Sequence, residues 1–95
     1  MSDKKRKNYN EGPGNPIMRV NRKNMGAALK YNRKMKGLGQ MDLMYISGVQ
    51  SYVISSIERG KGNPQMETLS KLFSAMDMTM FDGIETYLDF IRRGL

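Results

Sequence analysis

Gln40-Met41-Asp42-Leu43-Met44-Tyr45-Ile46-Ser47-Gly48-Val49-Gln50-Ser51-Tyr52-Val53-Ile54-Ser55-Ser56-Ile57 is the stretch on which the fold turns. Leu43 comes three residues after Gln40, Gly48 five after Leu43, Val49 at once, and then Ile54 and Ile57. A generic bundle of helices does not require this grammar. Glycine adopts a left-handed backbone without the steric cost of a Cβ, so Gly48 marks a tight turn. The apolar positions on either side of it then lock two helices near a right angle. The spacing predicts one helix from Gln40 to Ile46, with Leu43 and Met44 inward. A second runs from Gln50 to Glu58, with Val53, Ile54 and Ile57 inward.

Upstream, Met25, Ala28, Leu29, Asn32 and Met35 recur at helical spacing and end at Gly37, with Asn24 as the expected N-cap. Downstream, Gly60-Lys61-Gly62-Asn63-Pro64 stops the second helix and opens a third, because proline's missing amide costs nothing at a helix start. That helix, about Gln65 to Met76, carries Leu69, Leu72, Phe73 and Met76. A last one, about Thr79 to Arg93, carries Met80, Ile84, Tyr87, Leu88 and Ile91, with Phe81 beside them. Arg92 and Arg93 in its final turn complement the helix dipole. Nothing alternates with a period of two. The expected fold class is therefore all-α, a compact five-helix domain over 24–95, preceded by a flexible basic arm over 1–23 whose apolar side chains are too sparse to pack.

Composition excludes several chemistries. The 95 residues contain no Cys and no His, so there is no thiol nucleophile, no Ser-His dyad and no zinc cluster to be built. Ten methionines fall mostly at apolar helical positions, among them Met41, Met44, Met66, Met76, Met78 and Met80, and read as core filler rather than metal ligands. No metal and no cofactor are expected. Acidic pairs such as Asp82 and Glu85 sit on a helix surface without a base or nucleophile, so an enzyme is not expected. No apolar run approaches the length that spans a bilayer, and Met1 to Lys7 lack the apolar stretch of a signal peptide; a cytoplasmic location without membrane association is expected. Charge is concentrated toward the N-terminus. Residues 1–36 hold 11 basic and 2 acidic groups, and residues 37–95 hold 5 and 7, giving the net +7. Such an excess on a small domain points first to polyanions.

From Gly26 to about Met76 the chain resembles the phage-repressor and Cro-like helix–turn–helix family. The matching residues are Gly26, Leu29, Arg33, Gly37-Leu38, Gln40, Leu43, Ser47-Gly48-Val49, Ile54-Ser55, Ile57-Glu58-Arg59-Gly60, Pro64 and Leu69. Three positions depart from the family's habit. Gly39 replaces a Ser or Thr cap, Met44 stands where Ala is usual, and Gln50 replaces the Ser, Thr or Pro that opens the second helix of the motif.

The resemblance implies a sequence-specific DNA-binding transcription regulator, expected to be a repressor, acting as a homodimer on a palindromic operator. Gln50 to Arg59 would be the recognition helix in the major groove. Ser51, Tyr52 and Ser56 match the family's base readers, with Gln50 and Ser55 as neighbouring candidates; the other reading of the serines is a solvated helix face. Gln40, Arg59, Gly60 and Lys61 are the expected phosphate contacts. Lys4, Lys5, Arg6 and Lys7 are read as a DNA arm, with a solubility feature or a nuclear import signal as alternatives. Arg33 and Glu58 correspond to a structural salt bridge. Tyr87, Phe90, Ile91 and Leu95 are the expected dimer surface, against the plainer reading of a capping helix with one exposed Phe. Two other classes share the fold: an antitoxin that binds its own operator and a toxin partner, and a coactivator that bridges proteins of the transcription machinery.

Overall fold

The computed structural model describes residues 21–94, which form five α-helices and no strand. In chain order these are α1 (Arg22–Met35), α2 (Gln40–Ser47), α3 (Ser51–Glu58), α4 (Met66–Ala75) and α5 (Met80–Arg93). The first begins at Arg22, two residues ahead of position 24, and its N-cap is Asn21, whose carbonyl accepts from the Met25 amide at 2.9 Å. Asn24 is therefore not the cap. It lies inside α1 and is buried. Likewise, Gln50 precedes α3 as an extended cap residue and is not part of it.

The core is assembled from all five elements: Met25, Ala28 and Leu29 of α1, Leu43 of α2, Ile54 and Ile57 of α3, Leu69, Leu72 and Phe73 of α4 with Met76 just after it, and Tyr87 of α5. Full burial of one such side chain is worth roughly 1.5–3 kcal/mol, which is why so short a helix as α3 can be held by two isoleucines. Leu38, Met44, Val49, Val53, Met78 and Met80 pack around this centre. Several expected core positions lie outside it. Met35 is 67% exposed because the helical stripe of α1 runs out one turn before its end, and Met41 and Met66 also face outward.

Three helices end in the same way. The amide two residues past the cap reaches back to the carbonyl of the last turn, and a left-handed residue makes the reversal. Leu38 N–H bonds Arg33 O around Gly37, Lys61 N–H bonds Ser56 O around Gly60, and Met78 N–H bonds Phe73 O around Asp77. This closure uses carbonyls that a helix end otherwise leaves unpaired. At the third end Asp77 adopts φ 60° without being glycine.

Two further glycines are required by close packing inside helices. At Gly26 an added Cβ would run into the Ile57 carbonyl oxygen, so α1 and α3 cross backbone to backbone. At Gly83 it would come within 2.5 Å of the Phe73 ring, so α5 lies directly on that ring. The apolar stripe of α5 did not reveal this second contact.

Candidate nucleic-acid interface

The turn between α2 and α3 fixes how α3 is presented. Gly48 takes φ 81° and donates its amide to Met44 O at 2.8 Å, closing α2. Ser47 Oγ accepts from the Val49 amide at 3.0 Å. Gln50 is extended, and α3 starts at once. At 100° per residue, Ile54, Ile57 and Val53 occupy the inward arc of α3, while Ser51, Tyr52, Ser55 and Ser56 occupy the outward one. Tyr52 is 73% exposed and Gln50 is exposed, whereas the three serines are half-buried.

A buried polar network sets the far end of α3. Arg33 donates from Nε to Glu58 Oε2 at 2.7 Å and from Nη2 to Glu58 Oε1 at 2.9 Å, and its Nη1 reaches Leu38 O at 2.8 Å. Both side chains of the pair are almost fully buried, at 8% and 3% exposure. The Glu58 carboxylate, by hydrogen bond and charge, outweighs the desolvation that opposes it and holds the guanidinium above its usual range. Gln40 Nε2 joins at 3.0 Å to Glu58 Oε1. Every buried side-chain nitrogen and oxygen among the described residues has a partner, which is the condition for such a network to hold a geometry instead of weakening it. The network ties α1, the turn after it, the start of α2 and the end of α3 into one unit.

The Gln40 side chain is thus turned toward Glu58, 18 residues on, and its amide nitrogen is engaged there instead of being held out for a phosphate. At the start of α2 a carboxylate also intervenes: Asp42 Oδ2 accepts from the Gly39 amide at 2.8 Å, the half of a capping box that needs no side chain at Gly39, and adds negative charge to the same helix end.

The basic rim lies at the other end. Arg59 and Lys61 are exposed beyond α3, and Arg59 Nη1 donates to Ser55 Oγ at 2.5 Å. Gly60, at φ 75°, lies against the first turn of α1, where a Cβ would be 3.2 Å from Lys23 Cα. That contact brings exposed Arg22 and Lys23 beside Arg59 and Lys61. Neither Arg22 nor Lys23 was expected at the site, because only the tertiary contact at Gly60 carries them there. The expected arm residues Lys4, Lys5, Arg6 and Lys7 lie outside the described residues, as does Leu95.

The expected dimer surface needs correction at Tyr87. It is 1% exposed and part of the core, and burial pushes its phenol above the ordinary value. Phe90 is half-buried and packs edge-on against Tyr31, with ring centroids 5.7 Å apart. Ile91 is 36% exposed. The large exposed apolar groups of α5 are instead Phe81 at 83% and Leu88 at 38%, with Ile91 beside them. No group of three or more His, Cys, Asp or Glu among the described residues is placed to hold a metal. No helix among them is long and apolar enough to cross a membrane.

No protein-family model matches the chain. A curated relative, an uncharacterized helix–turn–helix-type transcriptional regulator of Haemophilus influenzae, is 41% identical over 49 residues, which is 52% of this chain and 50% of that protein. The chain therefore spans about half the length of the curated relative it matches. Among solved structures, the clp gene regulator ClgR of Corynebacterium glutamicum superposes with a TM-score of 0.74 at 25% identity, over 81% of this chain and 82% of that one. The restriction–modification controller protein C.Esp1396I gives a TM-score of 0.71 at 25% identity, over 76% and 94%. With the Gly48 turn, the α1–α3 contact at Gly26 and the two helices they orient, the chain is thus similar in sequence and fold to helix–turn–helix transcriptional regulators.

Proposed function

We propose that this chain is a sequence-specific, double-stranded-DNA-binding transcription regulator, a repressor that acts as a homodimer in the cytoplasm. One observation carries the reading. Among the described residues the outward face of α3, with Ser51, Tyr52, Ser55 and Ser56, has no helix over it, while its inward face is held by a backbone contact and a buried ion pair. A polar helix face held this firmly from behind suits insertion into the major groove, whose base edges present a distinct donor and acceptor pattern for each pair. Hydroxyls of serine accept either role, and the Tyr52 ring suits a thymine methyl. The basic rim of Arg22, Lys23 and Lys61 suits the flanking phosphates. The three relatives bear regulator or controller names, which supports the same reading.

Dimerisation is assigned to the exposed edge of α5. Phe81, Ile84, Leu88 and Ile91 recur along it at helical spacing. Glu85 and Arg92 flank this stripe two turns apart. Glu85 makes no ion pair among the described residues, whereas Arg92 and Arg93 share Asp89 at 3.5 and 3.2 Å. A two-fold axis between Leu88 and Asp89 in an antiparallel pair would set each Glu85 opposite the other copy's Arg92, the self-complementary pattern that an isologous contact needs. Two copies would then address half-sites about 34 Å apart.

The test is selection of bound sites from a random duplex library at about 150 mM salt with competitor DNA, since non-specific binding follows phosphate charge. A two-fold symmetric consensus is expected. Absence of any enriched motif would overturn the proposal.

A further inference from the structure

We infer that Arg59 reads a guanine instead of clamping a phosphate, and that Ser55 steers it. The inference rests on the DNA-binding reading of α3 and concerns the specificity of that same face. By its place in the chain Arg59 lies just past the reading helix, which suggests a backbone contact. The side chain takes another course. Its Nη1 returns one helical turn to Ser55 Oγ, as side chains on helices lean toward the N-terminus. Ser51, Tyr52, Ser55 and Arg59 fall within about 100° of one another around α3, so the guanidinium lies over the outward face and not beyond its end.

Three features hold it available. Its backbone is fixed by the helix closure, with the Arg59 amide on Ser55 O and Ser56 O and the next amides on Ile57 O and Ser56 O. No carboxylate competes for it, because neighbouring Glu58 turns inward to Arg33 and Gln40, and among the described residues Arg59 makes no ion pair. The hydrogen bond to Ser55 engages one of five donors, and the rest of the planar fork is free to make the paired hydrogen bonds to guanine O6 and N7 that are the commonest specific contact in the major groove. Serines and a tyrosine discriminate bases weakly, so an arginine among them would dominate specificity. Lys61, a flexible point charge beyond the reversal at Gly60, is left as the phosphate contact.

The experiment repeats the library selection with the full chain and with Arg59→Lys and Ser55→Ala, and measures affinity for the selected duplex and for single-base variants across salt. Arg59→Lys keeps the charge but removes the fork. Preference at one G·C pair per half-site should fall about ten- to a hundred-fold while the salt slope is kept, and Ser55→Ala should give a smaller loss at that same pair. If Arg59→Lys selects the wild-type consensus with unchanged preferences, the inference is overturned and DNA reading by α3 still stands. If the wild-type chain itself enriches no motif, both fall.

Discussion

Helices α3 and α5 are held in opposite ways. The first has eight residues and buries two of them. Its position is dictated by contacts that tolerate no adjustment, the Gly26 backbone against Ile57 O and the Arg33–Glu58 pair. The second has fourteen residues, buries Gly83 and Tyr87, and leaves Phe81 and Leu88 in the open. It is fastened at its start by a reciprocal cap, with Thr79 Oγ1 accepting from the Asp82 amide at 3.1 Å and Asp82 Oδ2 from the Thr79 amide at 2.9 Å. The difference suits the role proposed for each helix. A helix that presents side chains to a ligand must have its own angle fixed from behind. A helix that offers a partner surface needs only its core edge anchored.

The largest expected effect attacks the fixed side. Arg33→Ala leaves the Glu58 carboxylate buried with only Gln40 to meet it, and removal of one member of a buried pair costs about 3 to 5 kcal/mol. Chemical denaturation should show most of that loss; a midpoint like the parent's would mean that α3 is held by apolar packing alone. Gly26→Ala and Gly83→Ala sharpen the comparison. Each gains up to about 1 kcal/mol of helix propensity, and each inserts a methyl group into occupied space. At Gly26 the obstacle is a backbone carbonyl, so a net loss of about 2 to 3 kcal/mol is expected. At Gly83 the obstacle is the Phe73 ring, which can tilt, and the net loss should be no more than about 1 kcal/mol. Gly26→Ala should therefore melt lower than Gly83→Ala by roughly 4 to 24 °C for a domain of this size; equal melting would erase the distinction. The smallest effect on stability is expected at Phe81. Phe81→Ser should shift the unfolding free energy by no more than about 0.5 kcal/mol yet reduce self-association in sedimentation velocity. Unchanged association would clear this edge of α5 of any role between copies.

The motif was legible because its demands are local. Gly48 requires a left-handed backbone, Leu43, Ile54 and Ile57 require burial at fixed offsets, and all lie within one short segment. Gly37 and Gly60 marked helix ends for the same reason. What could not be read depends on orientation or on distant partners. Two asparagines three residues apart, Asn21 and Asn24, are equivalent as caps until the helix is built, and the later one falls on the buried face. The apolar arc of α5 is wide enough to hold both Tyr87 and Phe81, and its composition does not say which edge meets the core. The hydrogen bond of Gln40 to Glu58, and the arrival of Lys23 beside Gly60, exist only once α1, α2 and α3 are packed. The outward polar face of α3 was thus readable in its own sequence, and the candidate site was unreadable where other helices supply its frame and rim.

The dryness of the Arg33–Glu58 pair has a consequence for titrations. Mobile ions screen charges that water reaches and scarcely touch those it does not. Raising the ionic strength will therefore weaken whatever exposed Arg22, Lys23, Arg59 and Lys61 hold, while the pair that aligns α3 keeps its strength. Binding curves taken across a salt series should accordingly report the surface contacts alone, against a scaffold whose geometry does not drift with the solvent.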